Sequence, residues 1–200
     1  MSFRLEEKIP MTKLEGIYFL NSLNKEKNLK HLYPQRIVHS LYFDTPNKDS
    51  FIDSEEGIIP RKKIRIRKYI NSKEKNFFKE IKINFIKGRF KISKKIEDNE
   101  KENLLINGYF DNYYGLVFPI LSIEYTRQYF FKSGIRITYD TNIKYISYKF
   151  KSISKIEPMD VAELKIPFGK KIDISEKIFN LKTKRFSKYS NAVKLLNNFI

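Results

Sequence analysis

The feature that most constrains the fold of this chain is an alternation of cationic and apolar side chains over residues 61–67. Every second position from Arg61 to Arg67 carries Lys or Arg, and Ile64 and Ile66 lie between them. Successive side chains of a β-strand point to opposite faces, so the pattern predicts a strand with one cationic and one apolar face. Neighbouring guanidinium groups on one face, such as those of Arg65 and Arg67, repel each other unless an anion lies between them. The segment therefore favours an anion between these two side chains.

The same alternation recurs in other segments that have strand patterns. Their charged faces contain Arg4, Glu6 and Lys8; Glu80 and Lys82; Arg136, Thr138 and Asp140; and Glu163 and Lys165. For any single strand, the solvent face of an antiparallel sheet is the simplest explanation. Repetition in several strands instead favours charged faces that are turned toward one another as a cationic channel with a few carboxylates. Because Lys and Arg bind phosphate oxygens and Glu binds Mg²⁺ or Mn²⁺, such a channel suits a phosphate chain with a divalent metal.

Strand patterns dominate the chain, and helix patterns lie mainly near its ends. Beyond the opening segment, strands are predicted over residues 39–44, 62–69, 76–86, 121–131, 135–140 and 161–168. Helices are predicted over residues 11–24, 97–107, 175–181 and 191–200. In the first helix Thr12 is the predicted N-cap, and the predicted apolar stripe contains Leu14, Ile17, Tyr18 and Leu23. Without a repeat, a low-complexity tract or a Pro/Gly linker, the chain is predicted to form one α+β domain over residues 1–200.

Composition narrows the chemistry. The 200 residues contain 40 Lys+Arg and 23 Asp+Glu, a net charge of +17 that favours nucleic acid, an acidic membrane surface or polyphosphate as a partner. The absence of Cys excludes disulfides, thiol nucleophiles and thiolate metal sites, and two His disfavour a His-built zinc site. No signal peptide is found, and no segment approaches the ~18 apolar residues of a membrane span. A cytoplasmic protein is predicted, with membrane association only through another protein.

Several short segments form an ordered series along the chain. They are R-x-E-x-K at 4–8, S-x-Y-F-D-T at 40–45, R-x-K-x-R-x-R-x-Y at 61–69, E-x-K at 80–82, Y-x-R at 125–127, R-x-T-x-D at 136–140, E-x-K at 163–165 and F-S-K-Y at 186–189. Each alone is weak evidence, but in this order they resemble the VTC domain of polyphosphate polymerases, within the triphosphate tunnel metalloenzyme superfamily. The resemblance covers essentially the whole chain.

This resemblance implies an antiparallel β-barrel, a tunnel with a polar, cation-lined interior and helices packed outside. It also implies a metal-dependent reaction in which a growing polyphosphate chain attacks the γ-phosphoryl group of ATP and ADP leaves. Such phosphoryl transfer depends mainly on positioning and charge stabilisation, so no protein nucleophile is expected. The implied cofactor is Mn²⁺ or Mg²⁺, and the implied ligands are ATP and polyphosphate.

The resemblance also implies a role for individual residues. Phosphate binding is implied for Lys8, Arg65, Arg67, Lys82, Arg127, Arg136, Lys165 and Lys188, with Ser187 as a hydroxyl donor. The residues expected to carry catalysis are Arg65, Arg67, Lys82, Arg127, Arg136 and Lys165. Metal binding is implied for Glu163, with Glu6 and Glu80 as weaker candidates. A further tunnel lysine is expected among Lys91, Lys94 and Lys95, with Lys94 preferred.

Two other functions stay open at this point. Hydrolases and cyclases of the superfamily open with E-x-E-x-K, whereas this chain has Arg4 at the first position, which favours the VTC branch over a triphosphate hydrolase. A nucleic-acid-binding protein is favoured by the charge and by aromatic residues interleaved with lysines over residues 77–79 and 145–150. The recurrent Glu-x-Lys pairs argue against it, because nucleic-acid binders rarely need carboxylates among their phosphate contacts.

Overall fold

The computed structural model describes residues 4–72, 74, 76–86, 88–167 and 182–200. Residues 4 and 5 are described by their backbone alone. Within these ranges the strands are β1 (Arg4–Met11), β2 (Lys30–Asp44), β3 (Arg61–Tyr69), β4 (Phe77–Phe85), β5 (Gly88–Ile96), β6 (Tyr109–Asp111), β7 (Gly115–Lys132), β8 (Ile135–Ser147), β9 (Ser154–Ile156) and β10 (Asp160–Pro167). The helices are α1 (Lys13–Asn24), α2 (Asp49–Glu56), α3 (Asp98–Asn107) and α4 (Lys188–Leu196), with a 3₁₀ turn at Asn197–Phe199. The predicted α+β class is confirmed.

The strands of the described residues form one sheet. Its order is β1-β10-β8-β7-β2-β3-β4-β5, with β6 beside β7 and β9 beside β8. The pairs β1–β10, β10–β8, β2–β3, β3–β4 and β4–β5 are antiparallel, so residues directly opposite each other share a face. Among the described residues this order is open, with β1 and β5 at its two ends. Closure into a barrel stays a prediction.

The chain folds into two compact units, each built from three separate segments. Unit 1 contains the described parts of residues 1–36, 125–143 and 156–186. Unit 2 contains the described parts of residues 37–124, 144–155 and 187–200. Strands β2, β7, β8 and β9 contribute residues to both units, so a unit is not a contiguous stretch of the sequence.

The core of unit 1 lies between α1 and one face of its strands. The predicted N-cap is confirmed, since the Thr12 hydroxyl accepts from the Glu15 backbone N–H and the Glu15 carboxylate accepts from the Thr12 N–H at 2.7 Å. The helix buries Phe19 and Leu23. They pack with Ile9, Met11, Phe130, Ile135, Ile137, Tyr139, Ala162, Leu164 and Ile166 from β1, β7, β8 and β10. Apolar alternate positions of these strands therefore face the helix.

The predicted apolar stripe of α1 is wrong, apart from Leu23. Leu14, Ile17 and Tyr18 are 61%, 56% and 63% exposed, whereas the buried side of the helix is formed by Gly16, Phe19 and Leu23. Apolar residues occur on more than one side of this helix, so their spacing does not identify the packed side.

The core of unit 2 lies between α3 and the apolar faces of β3 and β4. Ile64 and Ile66 of β3 are buried against Leu104 of α3, and Ile81 and Phe77 of β4 pack at the edge of the same cluster. This confirms the apolar face predicted for residues 61–67.

Several boundaries differ from the predictions. Strands β2 and β8 extend well beyond residues 39–44 and 135–140, and the terminal helix begins at Lys188 rather than Asn191. Strand β5 and helix α2 were not predicted. The helix predicted over residues 175–181 lies outside the described residues, as does Phe168 at the end of a predicted strand. In the described part of the chain, no helix combines the length and the apolar character needed to cross a membrane.

Candidate functional site

The cationic face of unit 2 lies on β3, β4 and β5, opposite the face that packs against α3. The register places Arg65 opposite Glu80, and Glu80 opposite Ser93. It places Lys82 between Lys63 on β3 and Lys91 on β5. Because directly paired residues share a face, these strands bring their charged side chains together, as the sequence alternation predicts.

Arg65 is held in one orientation by contacts on both sides of its guanidinium group. Its Nε and one terminal nitrogen donate to Oε2 of Glu80 at 2.8 and 2.5 Å, and the other donates to the Tyr42 hydroxyl at 2.8 Å. The Nε of Arg67 donates to the Ser40 hydroxyl at 3.0 Å, and a terminal nitrogen lies 3.6 Å from the same Glu80 oxygen. Both arginines are buried. This geometry presents two pre-oriented guanidinium groups side by side.

Glu80 is the counter-charge of this cluster. Its second oxygen, Oε1, accepts from Nζ of Lys91 at 2.9 Å. Burial alone would raise the pKa of Glu80, but the charges of Arg65 and Arg67 and the hydrogen bond from Lys91 outweigh burial and hold the pKa well below its usual range. Glu80 is therefore ionised, and it partly neutralises three cations.

The preference for Lys94 as the further tunnel lysine is not supported. Lys91 pairs with Lys82 in the register and reaches Glu80, whereas Lys94 pairs with Lys79 on the other face. There, Nζ of Lys94 lies 3.2 Å from the Glu100 carboxylate of α3. The sequence shows three lysines close together, and the pairing of β4 with β5 separates them: Lys91 and Lys95 lie on the face of Arg65, and Lys94 lies on the other face.

The start of α4 adds a hydroxyl group in unit 2. Ser187 caps the helix by accepting from the Ser190 backbone N–H at 3.2 Å, and the same oxygen accepts from Nζ of Lys63 at 2.9 Å. Nζ of Lys63 also lies 5.4 Å from the centre of the Tyr189 ring. Lys188 is the first residue of this helix. Lys63 has no role predicted from the motifs, although its place in the alternating cationic row of β3 indicates one.

Two tyrosines that the sequence analysis did not assign support Arg65. The Tyr42 ring, whose hydroxyl contacts Arg65, stacks on Tyr189 with centroids 5.0 Å apart. The Tyr189 hydroxyl donates to the buried carboxylate of Asp44, and burial together with that negative charge raises the pKa of Tyr189 well above its usual value. Tyr42 lies in the S-x-Y-F-D-T segment and Tyr189 in the F-S-K-Y segment, so the motifs already indicated that both residues belong to the site.

The cationic face of unit 1 lies on β1, β10 and β8. Glu6 pairs with Lys165, which pairs with Arg136, and Lys8 pairs with Glu163, which pairs with Thr138. Nζ of Lys165 lies 3.0 Å from Oε1 of Glu6 and 3.1 Å from Oε1 of Glu163. Nζ of Lys8 donates to the backbone carbonyl of Phe186 at 2.7 Å. This face combines the carboxylates of Glu6, Glu163 and Asp140 with the cations Lys8, Lys165 and Arg136.

Arg127 is fixed within unit 1 by a bidentate ion pair. Its Nε and a terminal nitrogen donate to the two carboxylate oxygens of Asp140 at 2.5 and 2.7 Å. Burial opposes the charged guanidinium, but the Asp140 carboxylate outweighs burial and raises the pKa of Arg127 well above its usual value. Arg127 therefore stays charged, and its plane is set before any ligand binds.

The structure divides the predicted site residues between the two units. In unit 2 lie Arg65, Arg67, Glu80, Lys82, Lys94, Ser187 and Lys188, and in unit 1 lie Glu6, Lys8, Arg127, Arg136, Glu163 and Lys165. The register brings Arg65, Glu80 and Lys82 together on one face, and it brings the β1, β8 and β10 residues together on another.

The predicted metal ligands differ in how well they fit a divalent cation. Carboxylate oxygens are the preferred ligands of Mg²⁺, and the Glu6 and Glu163 carboxylates both approach one ammonium group, that of Lys165. The two carboxylates therefore lie close enough together to approach one cation, and the Lys165 ammonium contacts one oxygen of each. Glu80 does not fit, because Arg65 and Lys91 occupy its two oxygens. No group of three or more His, Asp or Glu close enough to hold a metal is found within the described residues.

The aromatic residues that favoured nucleic-acid binding have structural roles in part. Tyr145 is fully buried. Phe77 packs against the core of unit 2, where its ring lies 4.2 Å from Nζ of Lys101. A buried ring offers no surface on which a base can stack. Tyr145 therefore weakens the nucleic-acid interpretation, whereas Phe150 is 43% exposed.

Comparison with known proteins places this geometry in a family. The family model described as the VTC domain matches residues 14–197. The chain is similar in structure to a candidate adenylate cyclase from Bacillus halodurans, with 12% identity, a TM-score of 0.56 and coverage of 99% of this chain and 90% of that one. The chain is also similar to a candidate adenylate cyclase from Vibrio parahaemolyticus, with 14% identity and a TM-score of 0.56. This match covers 96% of this chain and 98% of that one.

A third solved structure is a candidate adenylyl cyclase from Hippeastrum with a dominant triphosphatase activity. It is 12% identical, has a TM-score of 0.58, and the match covers 96% of this chain and 95% of that one. At this level of identity the similarity shows the fold alone. A search of curated proteins finds no match.

Proposed function

Because the chain belongs to the VTC domain family, we propose that it is a polyphosphate polymerase, which transfers the γ-phosphoryl group of ATP to a polyphosphate chain and releases ADP. The observation that carries the proposal is the pair of buried arginines on β3, Arg65 and Arg67, which lie side by side and both contact the Glu80 carboxylate. Buried guanidinium groups are stabilised by anions. A bound phosphate chain supplies negative charge to both of them.

The unit 2 face binds and orients phosphate groups. Glu80 and Tyr42 already hold the Arg65 side chain in place. Its guanidinium group can therefore stabilise the negative charge that develops on the phosphate oxygens during the reaction without changing its own orientation. Lys63, Lys82 and Lys91 share this face and add positive charge beside the arginines.

The reaction requires little of the protein beyond this positioning. A terminal oxygen of the polyphosphate chain forms a bond to the γ-phosphorus of ATP as the bond to the β,γ-bridging oxygen breaks. The electron pair of the broken bond leaves with ADP. The attacking phosphate oxygen is already deprotonated at neutral pH, so no general base is needed, and the absence of Cys chemistry is consistent with this reaction.

The unit 1 face supplies further cations and the residues that would hold the metal. Arg127, Arg136, Lys8 and Lys165 bind phosphate oxygens, and Asp140 keeps the Arg127 plane fixed. Glu6 and Glu163 would hold Mn²⁺ or Mg²⁺, which when bound neutralises charge on phosphate oxygens. Lys165 contacts both carboxylates, and it thereby keeps the two side chains close to each other.

A triphosphate hydrolase is the second candidate function. The Glu6–Glu163 pair favours it, because a hydrolase needs carboxylates that position an attacking water. Arg4 argues for the polymerase, because it stands where hydrolases of the superfamily have the first carboxylate of E-x-E-x-K.

The test is to incubate the purified protein with ATP and Mn²⁺ and to analyse the products on a gel stained for polyphosphate. If the protein is a polymerase, we expect a ladder of polyphosphate chains together with ADP. If it is a hydrolase, we expect free phosphate and no ladder. Arg65→Lys/Arg67→Lys retains the charges but removes the forked donors, so it should fold and lose most of the activity. Lys79→Ala, on the opposite face of β4, is the matched control. A ladder that persists in the double variant contradicts the assigned role.

A further inference from the structure

The cationic face of unit 1 contains a buried hydroxyl group to which the preceding sections give no role. Thr138 is only 1% exposed, and in the described part of the chain its Oγ1 has no hydrogen-bond partner. Two residues earlier on the same face, the buried Nε of Arg136 also has no partner among the described residues. Buried polar atoms in folded proteins are ordinarily hydrogen-bonded, so two exceptions side by side on one strand indicate a ligand.

The surroundings of Thr138 show which ligand fits. The register places Arg136 directly opposite Lys165, and Thr138 directly opposite Glu163. The Lys165 ammonium lies within 3.1 Å of the Glu163 carboxylate, which reduces the negative charge that faces the hydroxyl. Asp140, two residues later on this face, is paired with Arg127. Each of the two carboxylates next to Thr138 is therefore matched by a cation, and Arg136 adds a positive charge that attracts an anion.

We propose that the Thr138 hydroxyl and the Arg136 Nε donate hydrogen bonds to oxygens of one bound phosphate group. Thr138 is thus a phosphate-binding residue of unit 1. This assignment rests on the proposed function in that the phosphate belongs to ATP or polyphosphate. Both donors are buried and have no partner within the described residues, so binding of the phosphate would pair them.

Two substitutions separate this role from a structural one. Thr138→Val has nearly the same shape but no hydroxyl, and Thr138→Ser keeps the hydroxyl. Without ligand, Thr138→Val should melt at the wild-type temperature or above it, because it removes an unsatisfied buried polar group. Calorimetry with inorganic triphosphate should show binding weakened about tenfold in Thr138→Val and restored to within about threefold in Thr138→Ser. Thr141→Val on the same strand is the control, and its binding should be unchanged.

Each result decides for or against the assignment. Thr138→Val that melts lower and binds triphosphate like the wild type overturns it, because the hydroxyl is then structural. If Thr138→Val loses Mn²⁺ binding in the absence of phosphate, the assignment is also overturned, because the hydroxyl is then a metal ligand. Wild-type protein that binds no triphosphate overturns both this inference and the proposed function. Triphosphate binding that depends on Thr138, in a protein that makes no polyphosphate, supports the inference and contradicts only the polymerase.

Discussion

Glu80 orders three cations of unit 2, and its removal tests how far the arginines depend on it. Glu80→Gln keeps the shape of the side chain but removes the charge that Arg65, Arg67 and Lys91 share. Breaking a buried ion pair by removing one partner is strongly destabilising, so the free energy of unfolding should fall by about 3 kcal/mol. Urea unfolding with and without triphosphate measures this effect, and triphosphate should restore part of the loss because it supplies negative charge to the same cations.

The same carboxylate also predicts how stability depends on pH. The pKa of Glu80 is lowered in the folded state, so its contribution to stability is complete above the ordinary value of 4.5 and is lost as the pH falls below it toward the lowered value. The wild-type unfolding free energy should therefore drop steeply between about pH 4.5 and pH 3, and that of Glu80→Gln should drop less. Equal slopes in the two proteins would show that Glu80 is not held by the arginines as described.

At the scale of secondary structure, the register of β5 predicts different roles for two lysines of one strand. Lys91→Ala removes a cation from the face of Arg65, and Lys94→Ala removes one from the face of α3. Lys91→Ala should lower ATP turnover about tenfold or more, because it leaves the charge of Glu80 less neutralised beside the phosphates. Lys94→Ala should change turnover less than twofold, since exposed ion pairs contribute little.

Initial-rate kinetics with ATP and Mn²⁺ measures both lysine variants. Circular dichroism establishes that each variant is folded. The reverse order of effects, with Lys94→Ala the more damaging, would mean that the register described for β4 and β5 does not hold in the active protein.

The contact of α1 with the sheet gives a prediction about stability. A Cβ added at Gly16 would collide with the Tyr139 hydroxyl, which donates to the buried Asp160 carboxylate at 2.7 Å. Gly16→Ala should therefore lower the free energy of unfolding by about 1–3 kcal/mol, although alanine favours helix more than glycine does. Ser22→Ala, on the exposed side of the same helix, is the control and should be neutral or stabilising. Thermal unfolding of the two variants distinguishes packing from helix propensity.

The elements that the sequence predicted and those that it missed differ in where their signals lie. Strand β3 was predicted because charged and apolar residues alternate locally along it. Helix α2 was missed because its cap is remote in sequence: the Asp44 carboxylate accepts from the backbone N–H groups of Ser50 and Phe51 at 3.0 and 3.1 Å. The buried side of α1 depends on Gly16, whose small size has meaning only once Tyr139 is in place.

For the whole molecule, part of the net charge of +17 is concentrated on two faces, which the total does not show. Each unit has one apolar face covered by a helix and one face on which cations outnumber carboxylates. The residues on these faces were predicted from motifs and from the alternation of charged and apolar residues. This is possible because successive side chains of a strand point to opposite faces, so the sequence alone assigns each side chain to a face. Ion pairs such as Arg127–Asp140 join different strands, so only the fold reveals them.

The Glu163 carboxylate separates an enzyme from a protein that merely binds polyanions. Glu163→Gln removes one of the two carboxylates that contact Lys165, and it leaves the cations of unit 1 in place. A metal-dependent enzyme should lose at least about tenfold in turnover with Mn²⁺, because the pair that holds the cation is incomplete. A nucleic-acid-binding protein should instead bind RNA or DNA as well or better, since a negative charge has been removed from its phosphate contacts.

Glu102→Gln, an exposed position on α3, controls for the change in net charge. Turnover measured as ADP release, with chelator added to one sample, and nucleic-acid affinity measured at two salt concentrations decide between the two functions. Chelator should abolish the wild-type turnover, and Glu102→Gln should behave as the wild type in both assays. Turnover that is insensitive to both chelator and Glu163→Gln would remove the metal from the mechanism and leave the arginine and lysine faces as the whole catalytic apparatus.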